Sequence, residues 1–193
     1  MYTEQQFDLK SIDGLSERQI DAHLKLYSGY VKNVNTLETK IREYAIDSEA
    51  HAIALSEIKR RLGFEFDGMR LHEYYFEALG GAKEKEAPTL LGLLEKQYGS
   101  EGFIKEFKAV CMMRGVGWAL LYHDTKIEHF HIAWVSDHEL GHLAGCDIIL
   151  AMDVWEHAYL LDYLPSQRKE YVETFFNNLN WAVPEERIKR SLA

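Results

Sequence analysis

The order of apolar patterns predicts an α+β fold: an N-terminal α-helical hairpin domain, then a C-terminal domain with a small three-stranded antiparallel sheet flanked by helices. Three observations carry this prediction. From Ser16 onward, apolar residues recur at helical spacing as far as Leu79. Between Trp118 and Met152 come apolar runs of strand length, two of them joined by the tight polar turn Asp124-Thr125-Lys126. From Arg168 the pattern is helical again. Helices, then strands, then helices indicate segregated layers rather than alternating β and α units. The charged, small-residue stretch from Ala82 to Pro88 is the best linker, which divides the chain into residues 1–83 and 84–193.

Residues 1–15 read as an arm. Ser16, with Gln19 three residues on, has the spacing of a capping box, so the first helix starts there. Ile20, Leu24, Tyr27, Val31 and Val34 form one stripe on this helix, and His23, Tyr27, Tyr30 and Val34 run beside it. A second helix is expected to open at Asp47 or Ser48 and to stop at Gly63, and a third to run from near Gly68 to Gly80-Gly81. Further helices are expected over 89–98 and 100–113. Strands follow over 118–123, 127–135 and 148–152, and helices over 168–177 and 184–190, the last with Pro184 at its start.

Composition limits the function. The 193 residues suffice for one large domain or two small ones sharing a core. No apolar run approaches the roughly 20 residues that span a bilayer, and the N-terminal residues lack the basic and apolar regions of a secretory signal. Cys111 and Cys146 form neither a CxxC pair nor a disulfide framework, so a reducing cytoplasm is the expected setting. A net charge of −9 argues against nucleic acid and anionic membranes as partners. It also repels any anionic substrate, which would need a local basic funnel.

The chemistry centres on Asp153-Val154-Trp155-Glu156-His157-Ala158-Tyr159, entered from the apolar run Ile148 to Met152. If the chain turns helical after Asp153, a carboxylate and an imidazole four residues apart share one side of the turn. An oxygen and a nitrogen side by side suit a first-row metal such as iron or manganese. Read alone, the pair is more often a capping Asp followed by a partly buried His. His23 and His72 each lie on an amphipathic helix among aromatic residues, where a neutral imidazole needs a hydrogen-bond partner or a metal. His51, His123, His129 and His131 read as surface or structural. Together His23, His72, Asp153 and His157 make a plausible three-nitrogen, one-oxygen shell.

The segment Asp153 to Tyr159 resembles the signature of the iron/manganese superoxide dismutases. Leu71-His72-Glu73-Tyr74-Tyr75-Phe76 is similar to that family's Asn-His-x-x-Phe-Trp, altered at its ends. Tyr30-Val31-Lys32-Asn33-Val34-Asn35 resembles its Tyr-Val-x-Asn-x-Asn, and Gly117-Trp118 its Gly-Trp. Tyr171, Asn177, Asn178 and Trp181 echo its closing motif. The resemblance implies one iron or manganese ion per subunit held by His23, His72, Asp153 and His157, with superoxide as substrate. It also implies that Tyr30 guards the substrate channel, that Trp118, Trp155 and Phe76 keep the pocket dry, and that Glu156 reaches a partner's ligand histidine. The assembly implied is a homodimer, or a tetramer containing it.

Three departures stand out. The family's first ligand lies eight residues before the channel tyrosine, where this chain has Ala22; His23 lies seven before Tyr30, as if the helix lacked a bulged residue. The channel histidine aligns with Tyr27, and the tyrosine that meets it from the other subunit aligns with Leu160. In place of the usual outer-sphere glutamine stands Ser136-Asp137-His138-Glu139-Leu140-Gly141-His142, with His138 the first choice and His142 the second for the group that touches metal-bound solvent. Arg168 and Lys25 are candidates for attracting the anion. Two other readings stay open: a non-haem oxygenase using two histidines and a carboxylate, and a relative of this fold that has lost activity.

Overall fold

A computed structural model describes residues 1–9, 12–81 and 84–193. Two long helices lead: α1 (Glu17–Tyr44) and α2 (Ala52–Leu79). α3 (Pro88–Tyr98) and α4 (Gly102–Cys111) follow, then β1 (Gly117–Asp124), β2 (His129–Ser136) and β3 (Cys146–Asp153). α5 (Arg168–Asn178) and α6 (Ala182–Ser191) close the chain. The sheet order is β2-β1-β3 with both pairings antiparallel. This is the α+β architecture that the apolar patterns predict.

α1 begins where Ser16 caps it: the Ser16 hydroxyl accepts the Gln19 N–H at 3.1 Å. The expected reciprocal half of the box is absent, because the Gln19 side chain points across the molecule instead. The buried stripe is Gln19, His23, Tyr27, Val31 and Val34, so the polar-aromatic stripe faces α2 while Ile20 and Leu24 are only half-buried. His23 and Tyr30 are two regular turns apart and share a side of the helix. The one-residue difference at Ala22 needs no bulge here, since α1 is regular α-helix throughout.

α2 corrects the sequence reading. The two helices expected on either side of Gly63 are one helix of 28 residues, opened at Ala52 rather than at Asp47 or Ser48. A mid-helix glycine costs only about 1 kcal/mol relative to alanine, too little to end a helix whose following turns, from Glu65 to Leu79, are buried. Gly68 has a separate purpose: a Cβ there would lie 2.7 Å from Tyr30 Cδ1, so the glycine makes room for the Tyr30 ring.

The division between residues 83 and 84 involves residues 82 and 83, which lie outside the described residues. We propose it as the boundary between the helical and the sheet-bearing halves, which share one apolar core running from Tyr27 and Phe76 to Trp118 and Phe175. Contacts from the C-terminal segment tie them: Asn180 N–H donates to Ala78 O at 2.8 Å, and Arg187 to Tyr74 O and the Glu77 carboxylate at 3.1 and 2.7 Å. β1 is buried over nearly its whole length, which explains why its residues read as continuously apolar rather than alternating. Glu185 of α6 accepts the first free amides of α3, from Thr89 at 3.2 Å and Leu90 at 2.9 Å, and so caps a helix whose own N-cap is Ala87.

Candidate metal centre

β3 runs out of the core at Asp153, whose side chain is fully buried. The chain does not become α-helical there. Val154 and Trp155 stay extended and a single 3-10 turn, Glu156–Ala158, follows. Asp153 Oδ1 accepts the Trp155 N–H at 2.8 Å, which fixes the carboxylate and leaves Oδ2 facing inward. The turn still returns His157, whose Nε2 lies 3.1 Å from that oxygen. From α1, His23 Nε2 reaches the same oxygen at 3.1 Å, and from α2 His72 Nε2 lies 3.6 Å away. One donor atom from each of His23, His72, Asp153 and His157 falls within 4.8 Å of every other. Donors about 2 Å from a shared ion are on the order of 3–4 Å apart, so the four atoms are grouped on the scale at which an ion could be held.

Protonation fits the same purpose. His72 Nδ1–H donates to Gly68 O at 2.6 Å, so Nε2 carries a bare lone pair. That nitrogen is buried and finds no hydrogen-bond partner among the described residues. Burial without a partner is costly for such an atom, and a cation at the centre of the set would satisfy it. Burial lowers the pKa of His23, although the Asp153 hydrogen bond opposes this. Burial, reinforced by His23, holds His72 well below the ordinary imidazole range. Neutral imidazole is the form that binds metal. Burial pushes the Asp153 carboxyl up, but His157 and His23 together outweigh it and hold the group far below the usual carboxylate range. The residues therefore present three imidazole nitrogens and one anionic oxygen, a donor set suited to iron or manganese.

Aromatic groups enclose the set. Phe76 lies edge-on to His23 at 4.8 Å between ring centres, Trp118 to His72 at 5.1 Å, and Trp155 stacks near His157 at 5.4 Å. Each of these three rings lies beside one histidine of the four-donor set. Glu156, beside them in sequence, is exposed.

On the solvent side, Tyr30 Oη and His138 Nε2 are 2.7 Å apart. The indole N–H of Trp118 donates to His138 Nδ1 at 3.0 Å. An indole can only donate, so His138 must carry its proton on Nε2 and donate it to Tyr30. The Tyr30 hydroxyl proton then has no acceptor among the described residues. Burial, with the Asp153 charge, raises the Tyr30 pKa and keeps the phenol protonated. Burial lowers that of His138 to about 4, so its imidazole is neutral near pH 7. His142, the second choice, does not reach the donors; it lies behind His138 and contacts its backbone.

Several contributors escaped sequence reasoning. Gln19 donates from Nε2 to His157 O at 2.7 Å and accepts the Leu161 N–H at 3.0 Å, tying the His157 turn to α1. Its capping-box spacing concealed this role. Tyr171 donates to Asp153 O at 2.8 Å, and Tyr75 therefore donates to Tyr171 at 3.0 Å, a buried pair behind the carboxylate. Phe64 lies edge-on to His138 at 4.6 Å, with Arg61 over its other face at 4.0 Å. Arg61, which pairs with Glu65 at 3.0 Å, is close enough for its charge to act on Tyr30 and His138. Lys25 is exposed on α1, and Arg168 donates to Gly115 O and lies 5.7 Å over Trp134. Tyr27 does not line the channel: it is buried, accepts the Gln5 N–H at 2.9 Å and donates to Glu73 at 3.1 Å.

Comparison with known proteins agrees with this geometry. Residues 86–187 match the C-terminal domain of iron/manganese superoxide dismutases. The chain is 34% identical over 175 residues to the iron superoxide dismutase of Pyrobaculum aerophilum, covering 88% of this chain and 82% of that protein. It is 32% identical over 185 residues to that of Saccharolobus solfataricus, covering 92% and 87%. It is 30% identical over 190 residues to that of Aquifex pyrophilus, covering 95% and 88%. With a matching domain over more than half its length and relatives of this identity along nearly all of it, the chain belongs to the iron/manganese superoxide dismutase family.

Proposed function

We propose that this protein is an iron superoxide dismutase, converting two superoxide ions and two protons to dioxygen and hydrogen peroxide. The observation that carries the reading is the buried convergence of His23, His72, His157 and Asp153 around the bare Nε2 of His72, in a chain of this family. Three imidazoles also weigh against an oxygenase site of two histidines and a carboxylate, which would leave one ligand unused. When bound, the ion supplies a one-electron couple that takes an electron from one superoxide and returns it to the next. Iron is favoured because the relatives quoted above carry that metal in their names.

The chain's own groups do the rest. Asp153, anchored through Oδ1 to the Trp155 amide and through its carbonyl to Tyr171, holds one charge at the centre. Trp118, Trp155 and Phe76 help exclude water from the buried donors His23, His72 and Asp153, which strengthens the electrostatic contacts among them. Tyr30 holds a transferable proton on Oη because His138 has filled its acceptor side. Arg61, although paired with Glu65 at 3.0 Å, puts a cation close enough to act on Tyr30 and His138, and so offsets, locally, part of the repulsion of a superoxide anion by a net charge of −9.

A homodimer completes the proposal. His157 is 22% exposed, and Glu156 is exposed near Leu160, Leu161 and Leu164, which are 42%, 46% and 65% exposed. A second copy covering this edge would bury those side chains. The two free cysteines fit a reducing, cytoplasmic setting. Among the described residues no helix is long and apolar enough to cross a membrane.

Reconstitution tests the reading. Protein loaded with iron should bind one ion per chain and consume superoxide, and metal-free protein should not. Equal turnover with manganese would remove the preference for iron. Absence of turnover with either ion would overturn the assignment and favour an inactive member of the fold. Sedimentation at low concentration should show a dimer that Glu156→Ala loosens.

A further inference from the structure

The loop between β2 and β3 carries His138, and its backbone is not relaxed. Asp137 sits at φ 52°, a left-handed conformation that a side chain rarely adopts. Paired hydrogen bonds between Ser136 and Leu140, at 2.8 and 3.2 Å, pinch the loop shut. Something must hold the peptides on both sides of His138 if its ring is to face Tyr30. On one side the Trp155 indole N–H donates to Asp137 O at 3.1 Å. On the other, His142 Nε2 lies 2.8 Å from His138 O. A carbonyl can only accept, so His142 carries a proton on Nε2, and in the neutral ring its Nδ1 is bare. The Tyr122 hydroxyl, 2.7 Å from that nitrogen, must then donate to it. Tyr122 stands on the buried central strand β1, and the carboxylate of Asp67 on α2 lies 3.7 Å from His142 Nε2.

Resting on the dismutase reading above, we propose that His142 is a positioning residue: it holds the His138 carbonyl against β1 so that His138 Nε2–H points at Tyr30 Oη. Two histidines four residues apart thus share one tautomer but have different tasks. His138 contacts the channel tyrosine, while His142 transmits the rigidity of β1 to the peptide that carries His138. Without that anchor the Trp118 indole, which donates to His138 Nδ1, would lose a fixed acceptor, and the Tyr30 proton would no longer be directed by a filled acceptor site.

The test compares His142→Leu, which removes both bonds, with His142→Gln, whose amide can donate to the carbonyl and whose oxygen can accept from Tyr122. In metal-free protein, nitrogen–proton spectra should show the Trp118 Nε1–H signal displaced by leucine and restored by glutamine. In iron-loaded protein, leucine should lower kcat on the order of ten-fold with KM and iron content unchanged, and glutamine should recover most of the loss. Tyr122→Phe, which deletes one hydroxyl, should displace the same signal less far and serves if the leucine variant fails to fold. An unmoved Trp118 signal in both the leucine and phenylalanine variants, or equal behaviour of leucine and glutamine, would overturn the proposal. An inactive wild-type protein would overturn the dismutase reading instead, and the metal-free spectra would still decide the role of His142.

Discussion

The two halves of the centre are held by different means. His23 and His72 stand on α1 and α2, 28-residue helices whose buried stripes run from Gln19 to Val34 and from Glu65 to Leu79. Their positions follow from helix period and burial, with one added bond from His72 to Gly68 O. Asp153, His157 and His138 stand on a strand end, a 3-10 turn and a loop; Asp153 still pairs with Trp118 in the ladder, but none of the three side chains is set by a helix period. There each residue is tied individually: Asp153 by Trp155 N–H and Tyr171, the His157 turn by Gln19, His138 by Trp118. Helical ligands are therefore positioned by many weak contacts, and the others by a few strong directional ones. Single substitutions should disturb the second group more locally and more severely.

Asp153→Ala gives the largest effect. It removes the oxygen that His23, His72 and His157 share and leaves buried donors unpaired, so metal affinity should fall by at least about 100-fold; elemental analysis after dialysis measures it. Full occupancy would sink the ligand set. His23→Ala should cost on the order of ten-fold or more in affinity while circular dichroism stays helical, because the stripe around it continues to pack. Wild-type metal content in that variant would mean that α1 contributes no ligand.

Gly68→Ala sharpens the contrast within the helical half. Alanine favours the helix by about 1 kcal/mol, yet its Cβ would stand 2.7 Å from the Tyr30 ring. Turnover should fall through displacement of Tyr30, with metal content unchanged; undiminished turnover would show that Tyr30 tolerates the shift.

The smallest effect belongs to the sheet half and to pH. Burial pushes the Glu185 carboxyl up, but the amides of Leu90 and Thr89 and the Lys189 ammonium outweigh it and lower its pKa. A group whose pKa is lower in the folded than in the unfolded state contributes its stability above the unfolded value and loses it as the pH falls through the folded one. Glu185→Gln should therefore cost about 1 kcal/mol near neutrality, the size of a helix-cap loss, and nothing once wild-type Glu185 is itself protonated. Melting curves of the two proteins should converge in acid. A constant gap across pH would show that packing, not charge, is what Glu185 contributes.

Periodicity sufficed for the helices, the three strands and the alignment of His23 with Tyr30, because seven residues make two turns wherever the helix packs. The Asp153 to His157 pairing was also legible, since a carboxylate and an imidazole four residues apart meet in either an α or a 3-10 turn. The continuity of α2 through Gly63 was not, because a glycine's local cost is set against packing that only the neighbouring helix supplies. Nor were the partners of Gln19 and His142. Each reaches an atom distant in sequence or on another element, Gln19 to His157 O and His142 to Tyr122, and no local spacing encodes a contact made by folding. Propensity and period act within a few residues and so survive in one dimension; tautomers, second partners and the direction of a proton depend on what burial brings within hydrogen-bond reach, and exist only in three.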